Sequence, residues 1–84
     1  MAEAGTGAAP QAVVTVDAIG LLCPLPVLKA RKVLESLPSG QLVEVLTTDG
    51  MALIDLPHFC TTAGHDYLSM REAEGHHVHL IRRG

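Results

Sequence analysis

Two prolines one residue apart, Pro24 and Pro26, stand at the head of a stretch with helical periodicity, GLLCPLPVLKARKVL over residues 20–34. Proline has no backbone N–H and clashes with the preceding turn, so a helix interior does not tolerate it. In the first turn that N–H has no intrahelical acceptor, and the fixed φ of proline already suits a helix. The pair therefore predicts where the helix begins, with Cys23 at the N-cap and Pro24 and Pro26 at its first and third positions. Val27, Ala30, Val33, Leu34 and Leu37 then recur on one face. Lys29, Lys32, Glu35 and Ser36 take the other, and Pro38-Ser39-Gly40 ends the element.

The rest of the chain alternates around this helix. β-Branched residues at 13–16 (VVTV) predict a first strand, followed by turn chemistry from Asp17 to Gly20. LVEVLTT, residues 42–48, predicts a second strand closed by Asp49-Gly50. In MALIDLPHFCTTAG, residues 51–64, Asp55 is placed as the cap of a second helix with Pro57 in its first turn and Gly64 as its stop. Met51 to Ile54 then form either a separate turn or a kinked start. Two strands follow, Asp66 to Ala73 and His76 to Arg82, joined at Glu74-Gly75. In the last strand either Val78 and Leu80 face the core, or Ile81 does so with His77 and His79. The order β-α-β-α-β-β is of the α+β class. It predicts an open two-layer α/β sandwich, a mixed four-stranded sheet with two helices on one face.

Composition sets the scale of the core. Of 84 residues, 48% are hydrophobic but only 2% aromatic, so a single small domain over residues 13–84 must pack on aliphatic side chains. Residues 1–12, MAEAGTGAAPQA, carry Glu3 and no apolar segment, and are expected to be a flexible tail rather than a signal peptide. No apolar run is long enough to span a membrane, so a soluble protein is expected. The formal net charge of −3 argues against a chain that binds polyanions as a whole, and the scarcity of stacking aromatics argues against direct nucleic-acid binding. Two cysteines are too few for a disulfide framework; Cys23 and Cys60 read as reduced thiols in a cytoplasm.

A thiol at the N-cap faces the positive end of the helix dipole, with the Leu25 N–H as the nearest donor, and low-pKa nucleophilic cysteines occupy such positions. Gly20 permits the tight strand-to-helix turn that would expose the sulfur. The inert alternative is that Cys23 is a small buried hydrophobe. The five histidines lie far downstream and the chain is short for a Cys-His hydrolase, which leaves reactions needing one exposed sulfur: thiol exchange or sulfur transfer.

The stretch DAIGLLCPLPVLKARKVL, followed by a strand, then DLPHFCTTAGHDYL and a terminal LIRRG, resembles the TusA-type, or SirA-like, sulfur carriers over nearly all of the chain after about Val14. The resemblance implies an open two-layer sandwich and a sulfurtransferase that holds sulfur as a persulfide on Cys23, with no resident cofactor. It implies a cysteine desulfurase or a rhodanese-like protein as donor and a second protein as acceptor, serving tRNA 2-thiouridine formation, molybdenum cofactor synthesis or dissimilatory sulfur oxidation. One departure stands out: many members have Asp-Pro after the second strand, where this chain has Asp49-Gly50.

Other residues carry weaker expectations. Cys60 is either a second thiol site or, as free cysteine commonly is, a packing residue. His58, Cys60, His65 and the HHVH run at 76–79 hold metal-ligating atoms, but no recognised ligand spacing, and no metal is expected. Lys29, Arg31 and Lys32, with Arg82 and Arg83, are expected to raise the potential around the sulfur and guide an acidic partner surface. A monomer is expected. The alternative function is a non-catalytic regulatory or protein-binding module on the same fold.

Overall fold

The computed structural model describes residues 12–84, so all of the expected tail except Ala12 lies outside the described residues. The elements are β1 (Val13–Ala18), α1 (Leu25–Glu35), β2 (Leu42–Thr47), α2 (Ala52–Ala63), β3 (Asp66–Ala73) and β4 (His76–Arg82). They build one four-stranded sheet in the order β1-β2-β4-β3. β1 runs parallel to β2, with Val16 opposite Val45. β2–β4 and β4–β3 are antiparallel. The mixed sheet with both helices on one face is the expected architecture.

One apolar cluster explains why these elements pack. Val16 and Ala18 of β1, Val43 and Val45 of β2 and Ile81 of β4 meet Ala30 and Leu34 of α1 and Ala52, Leu56 and Cys60 of α2, all essentially sealed from solvent. Both helices share this cluster, so both lie on the same face. The last strand points Ile81 and His79 inward, opposite Val43 and Val45. Of the two facings left open by its alternation, this is the one with the histidines inside. A buried imidazole needs partners, and His79 has them: Thr47 Oγ1 lies 2.8 Å from Nε2 and the Tyr67 hydroxyl 2.7 Å from Nδ1.

Both helix starts differ from expectation. Pro24, not Cys23, is the N-cap of α1, and Pro26 occupies the second helical position. The cause is a tight turn ahead of the helix, in which the Leu25 N–H donates to the Leu22 carbonyl at 2.8 Å, so the helix opens one residue later. The Cys23–Pro24 bond is cis. The second helix begins earlier than expected, at Ala52, because Asp49 rather than Asp55 serves its start. Asp49 Oδ1 accepts the Met51 N–H at 3.1 Å and its carbonyl accepts the Ala52 N–H at 3.0 Å. Met51 to Ile54 thus join the helix, and Pro57 sits inside it. Gly64 ends it in the left-handed region, φ 83°, as a glycine stop should.

Parallel pairing of β1 and β2 is what assembles the site. Two adjacent parallel strands end on the same edge of the sheet, so the loop leaving β1 and the loop leaving β2 lie side by side. They are laced by the Gly20 N–H, which donates to Thr48 Oγ1 at 2.9 Å.

Candidate functional site

The β1–α1 loop carries Cys23 to the surface at this junction. Gly20 makes the turn with φ 82°, a conformation L side chains rarely adopt. The Cys23 N–H donates to Asp49 Oδ2 at 2.7 Å, and its thiol donates to Asp55 Oδ2 at 2.9 Å. Asp49 therefore uses one carboxylate oxygen on the thiol loop and the other on the start of α2. Those two backbone donors hold its carboxyl below the usual range. The residue ties both loops together.

These carboxylates reverse the expected electrostatics of the sulfur. The hydrogen bond to Asp55 is the leading cause that pushes the Cys23 thiol above its ordinary pKa, followed by partial desolvation and the negative charges of Asp55 and Asp49. The lowering of the thiol pKa expected from a cap position is not found, because Cys23 lies outside the cap and the Leu25 N–H is spent on Leu22. What the geometry offers instead is an exposed thiol whose hydrogen bond points at a carboxylate.

Beside the sulfur, α1 and α2 leave an open cavity of about 380 Å³ lined by Pro24, Val27, Asp55, His58, Phe59 and Thr62 as well as Cys23. The flanking segments expose apolar side chains, among them Leu22, Leu25 and Leu28 on one side and Met51 and Ile54 on the other. Exposed apolar side chains grouped on neighbouring segments are a feature of interaction surfaces. The family whose description is Sulfurtransferase TusA matches residues 14–83. This chain belongs to the TusA family.

Its relatives carry the corresponding names. It is 37% identical over 67 residues to the sulfur carrier protein TusA of Pseudomonas syringae, covering 80% of each chain. It is 44% identical over 61 residues to a putative sulfur carrier protein of Neisseria meningitidis, covering 73% of this chain and 82% of the relative. The crystal structure of a SirA-like protein from Desulfitobacterium hafniense superposes with a TM-score of 0.70 at 31% identity, covering 84% of this chain and 97% of that one. The general role of a TusA carrier, sulfur relay with other proteins, follows for this chain. No helix among the described residues is long and apolar enough to cross a membrane.

The residues expected to serve this TusA carrier are distributed unevenly. Cys60 is buried in the core, where desolvation first and Asp66 second push its thiol up to about 11. The basic residues do not surround the sulfur. Lys29 donates to the Asp17 carbonyl, Arg31 pairs with Glu35 at 3.1 Å, Lys32 is exposed and Arg82 pairs with Asp66 at 3.1 Å. Arg83 donates to the Leu34 carbonyl and joins Arg31 on the wall of a second cavity. The histidines are scattered, and no group of three metal-ligating residues is found among the described residues. Gly50 takes part in the turn before α2, its carbonyl accepting the Leu53 N–H at 3.1 Å. Asp49 and Asp55, which contact Cys23, are residues that sequence reasoning took only as turn and cap. The Asp-Leu-Pro-His-Phe-Cys segment contained the signal for Asp55, but its contact to Cys23 spans 32 residues.

Proposed function

We propose that Cys23 accepts a sulfur atom from a donor protein's persulfide, carries it as Cys23-S-SH and passes it to an acceptor protein. The observation that supports this most is the pairing of an exposed thiol with the Asp55 carboxylate at 2.9 Å, while the other cysteine is buried. The step balances without a cofactor. As Cys23 attacks the terminal sulfur of the donor persulfide, its proton moves to Asp55; the new Cys23–sulfur bond forms, the donor S–S bond breaks, and the departing donor thiolate takes a proton. Transfer onward repeats the exchange, an acceptor thiolate attacking the outer sulfur of Cys23-S-SH and releasing the Cys23 thiolate, which Asp55 reprotonates.

In this reading the donor is a cysteine desulfurase or a rhodanese-like protein, and the acceptor belongs to tRNA 2-thiouridine formation, molybdenum cofactor synthesis or dissimilatory sulfur oxidation in the cytoplasm. A resting thiol that is protonated suits a carrier, because an unloaded protein then does not react indiscriminately. The test is a chase with radiolabelled cysteine and a desulfurase. Label should bind the wild-type chain, be released by reductant and be absent from Cys23→Ser. Equal labelling of Cys23→Ser would contradict the assignment of the sulfur to Cys23, and a wild-type chain that takes no label would leave the non-catalytic binding module in its place.

A further inference from the structure

The cavity beside Cys23 is not isolated. A second one, of about 450 Å³, is lined by Arg31, Glu35, His65 and Arg83, and both share Phe59 and Thr62. Val27, Arg31 and Glu35 succeed one another at intervals of four along α1, the spacing of one helix face. The two cavities are therefore one interhelical groove, apolar around Val27 and Phe59 at the thiol end and lined by two arginines at the other.

The charges at the far end are available to a ligand. Arg83 is held by backbone acceptors, its Nε donating to the Leu34 carbonyl at 3.1 Å and its Nη1 to the Gly84 oxygen at 2.7 Å. Among the described residues Arg31 pairs with Glu35, at i,i+4 with both side chains more than 60% exposed, and such pairs exchange partners readily. His65 Nδ1 accepts the Gly84 N–H at 2.9 Å, and burial and the nearby Arg83 cation hold its imidazole below the usual range. Arg31 and Arg83 thus bring two guanidinium groups to this end of the groove, with the Glu35 carboxylate and the Leu34 and Gly84 main-chain oxygens as their partners.

We infer that the groove seats an extended segment of the sulfur-exchanging partner, with the partner's reactive cysteine at Cys23, an apolar residue against Val27 and Phe59, and an acidic side chain between Arg31 and Arg83. Arg31 lies six residues beyond Leu25, where α1 begins, about 9 Å at the rise of a helix; with the short step from Cys23 to the helix added, an extended strand covers the span in about four residues. The partner motif is therefore a cysteine and an Asp or Glu about four residues apart. Arg31 and Arg83, of all the basic residues expected to meet a partner, carry this recognition. Lys29 and Arg82 face other acceptors. The inference rests on the sulfur-carrier reading for its choice of partner.

The test needs only the thiol. Short peptides carry one cysteine activated as its mixed disulfide with 2-nitro-5-thiobenzoate. Attack by Cys23 forms the Cys23–peptide disulfide, breaks the activated bond and releases one coloured thiolate, the better leaving group. A peptide with Glu about four residues from its cysteine should react about fivefold faster at low salt than one with Lys there or with Glu adjacent to the cysteine, an advantage that fades as salt screens it. Arg31→Glu, an exposed substitution, should invert the preference, and Arg83→Gln should abolish it. Rates indifferent to the placement of Glu, or an Arg31→Glu protein that keeps the wild-type preference, would overturn the inference. So would an RNA oligonucleotide that shields Cys23 as well as the peptide does. A protein that shows the peptide preference but takes no sulfur from a persulfide donor would refute the carrier reading alone.

Discussion

The Asp55 carboxylate sits 2.9 Å from the Cys23 sulfur, and the Asp49 carboxylate takes the N–H of the same cysteine at 2.7 Å. The Cys23 thiol therefore rests among carboxylates, and the hydrogen bond and negative charge of Asp55 favour its protonated form.

Asp55→Asn keeps the shape and removes the charge. Because the hydrogen bond to Asp55 and its negative charge both raise the Cys23 pKa, the variant should titrate at lower pH than the wild type. Iodoacetamide labelling of Cys23 followed against pH checks this. The midpoint moves down in Asp55→Asn, whereas persulfide loading slows, because the proton acceptor is gone.

Gly20→Ala tests the turn that delivers the thiol. Nothing lies within 4 Å of an added methyl group, so the cost comes only from the backbone at φ 82°. A destabilisation of about 1–2 kcal/mol is expected by urea unfolding.

Cys60 and Cys23 should differ sharply towards a thiol reagent. Cys60 is buried, with its thiol pushed up to about 11. A colorimetric disulfide titration should count one thiol per chain under native conditions and two in denaturant. Cys60→Ala should leave sulfur loading unchanged.

His79 makes the fold sensitive to acid. Burial first and the neighbouring His77 second depress its pKa to about 4, against about 6.5 in an unfolded chain. The unfolded state thus binds the extra proton more readily between these values. The stability His79 contributes is complete above pH 6.5 and is lost as pH falls towards 4, at up to about 1.4 kcal/mol per pH unit. Urea unfolding across this window should show the slope in the wild type and a flatter profile in His79→Gln.

Local pattern made much of the fold legible. The β3–β4 hairpin is bounded by alternation and by Glu74-Gly75, and α1 by its two prolines and its apolar spacing. The start of α2 was not legible, since Asp49 and Asp55 are both good capping residues and only the neighbouring β1–α1 loop decides between them. The same holds for the site. Pro24 and Pro26 mark the place of the thiol, but its surroundings come from residues 26 and 32 positions away, which no periodicity encodes. The basic residues of α1 read as a cluster near Cys23, yet their partners Asp17 and Glu35 draw two of them off. The facing of β4 was undecided because a histidine can be buried only if Thr47 and Tyr67 reach it, and both belong to other strands.

The proposed function places the carried sulfur on Cys23. Incubation with a cysteine desulfurase and cysteine, followed by peptide mass spectrometry without reductant, tests it most directly. The account predicts an increment of about 32 Da, one sulfur atom, on the peptide containing Cys23, retained in Cys60→Ala and missing in Cys23→Ser. An increment that survives Cys23→Ser but disappears with Cys60→Ala would contradict it.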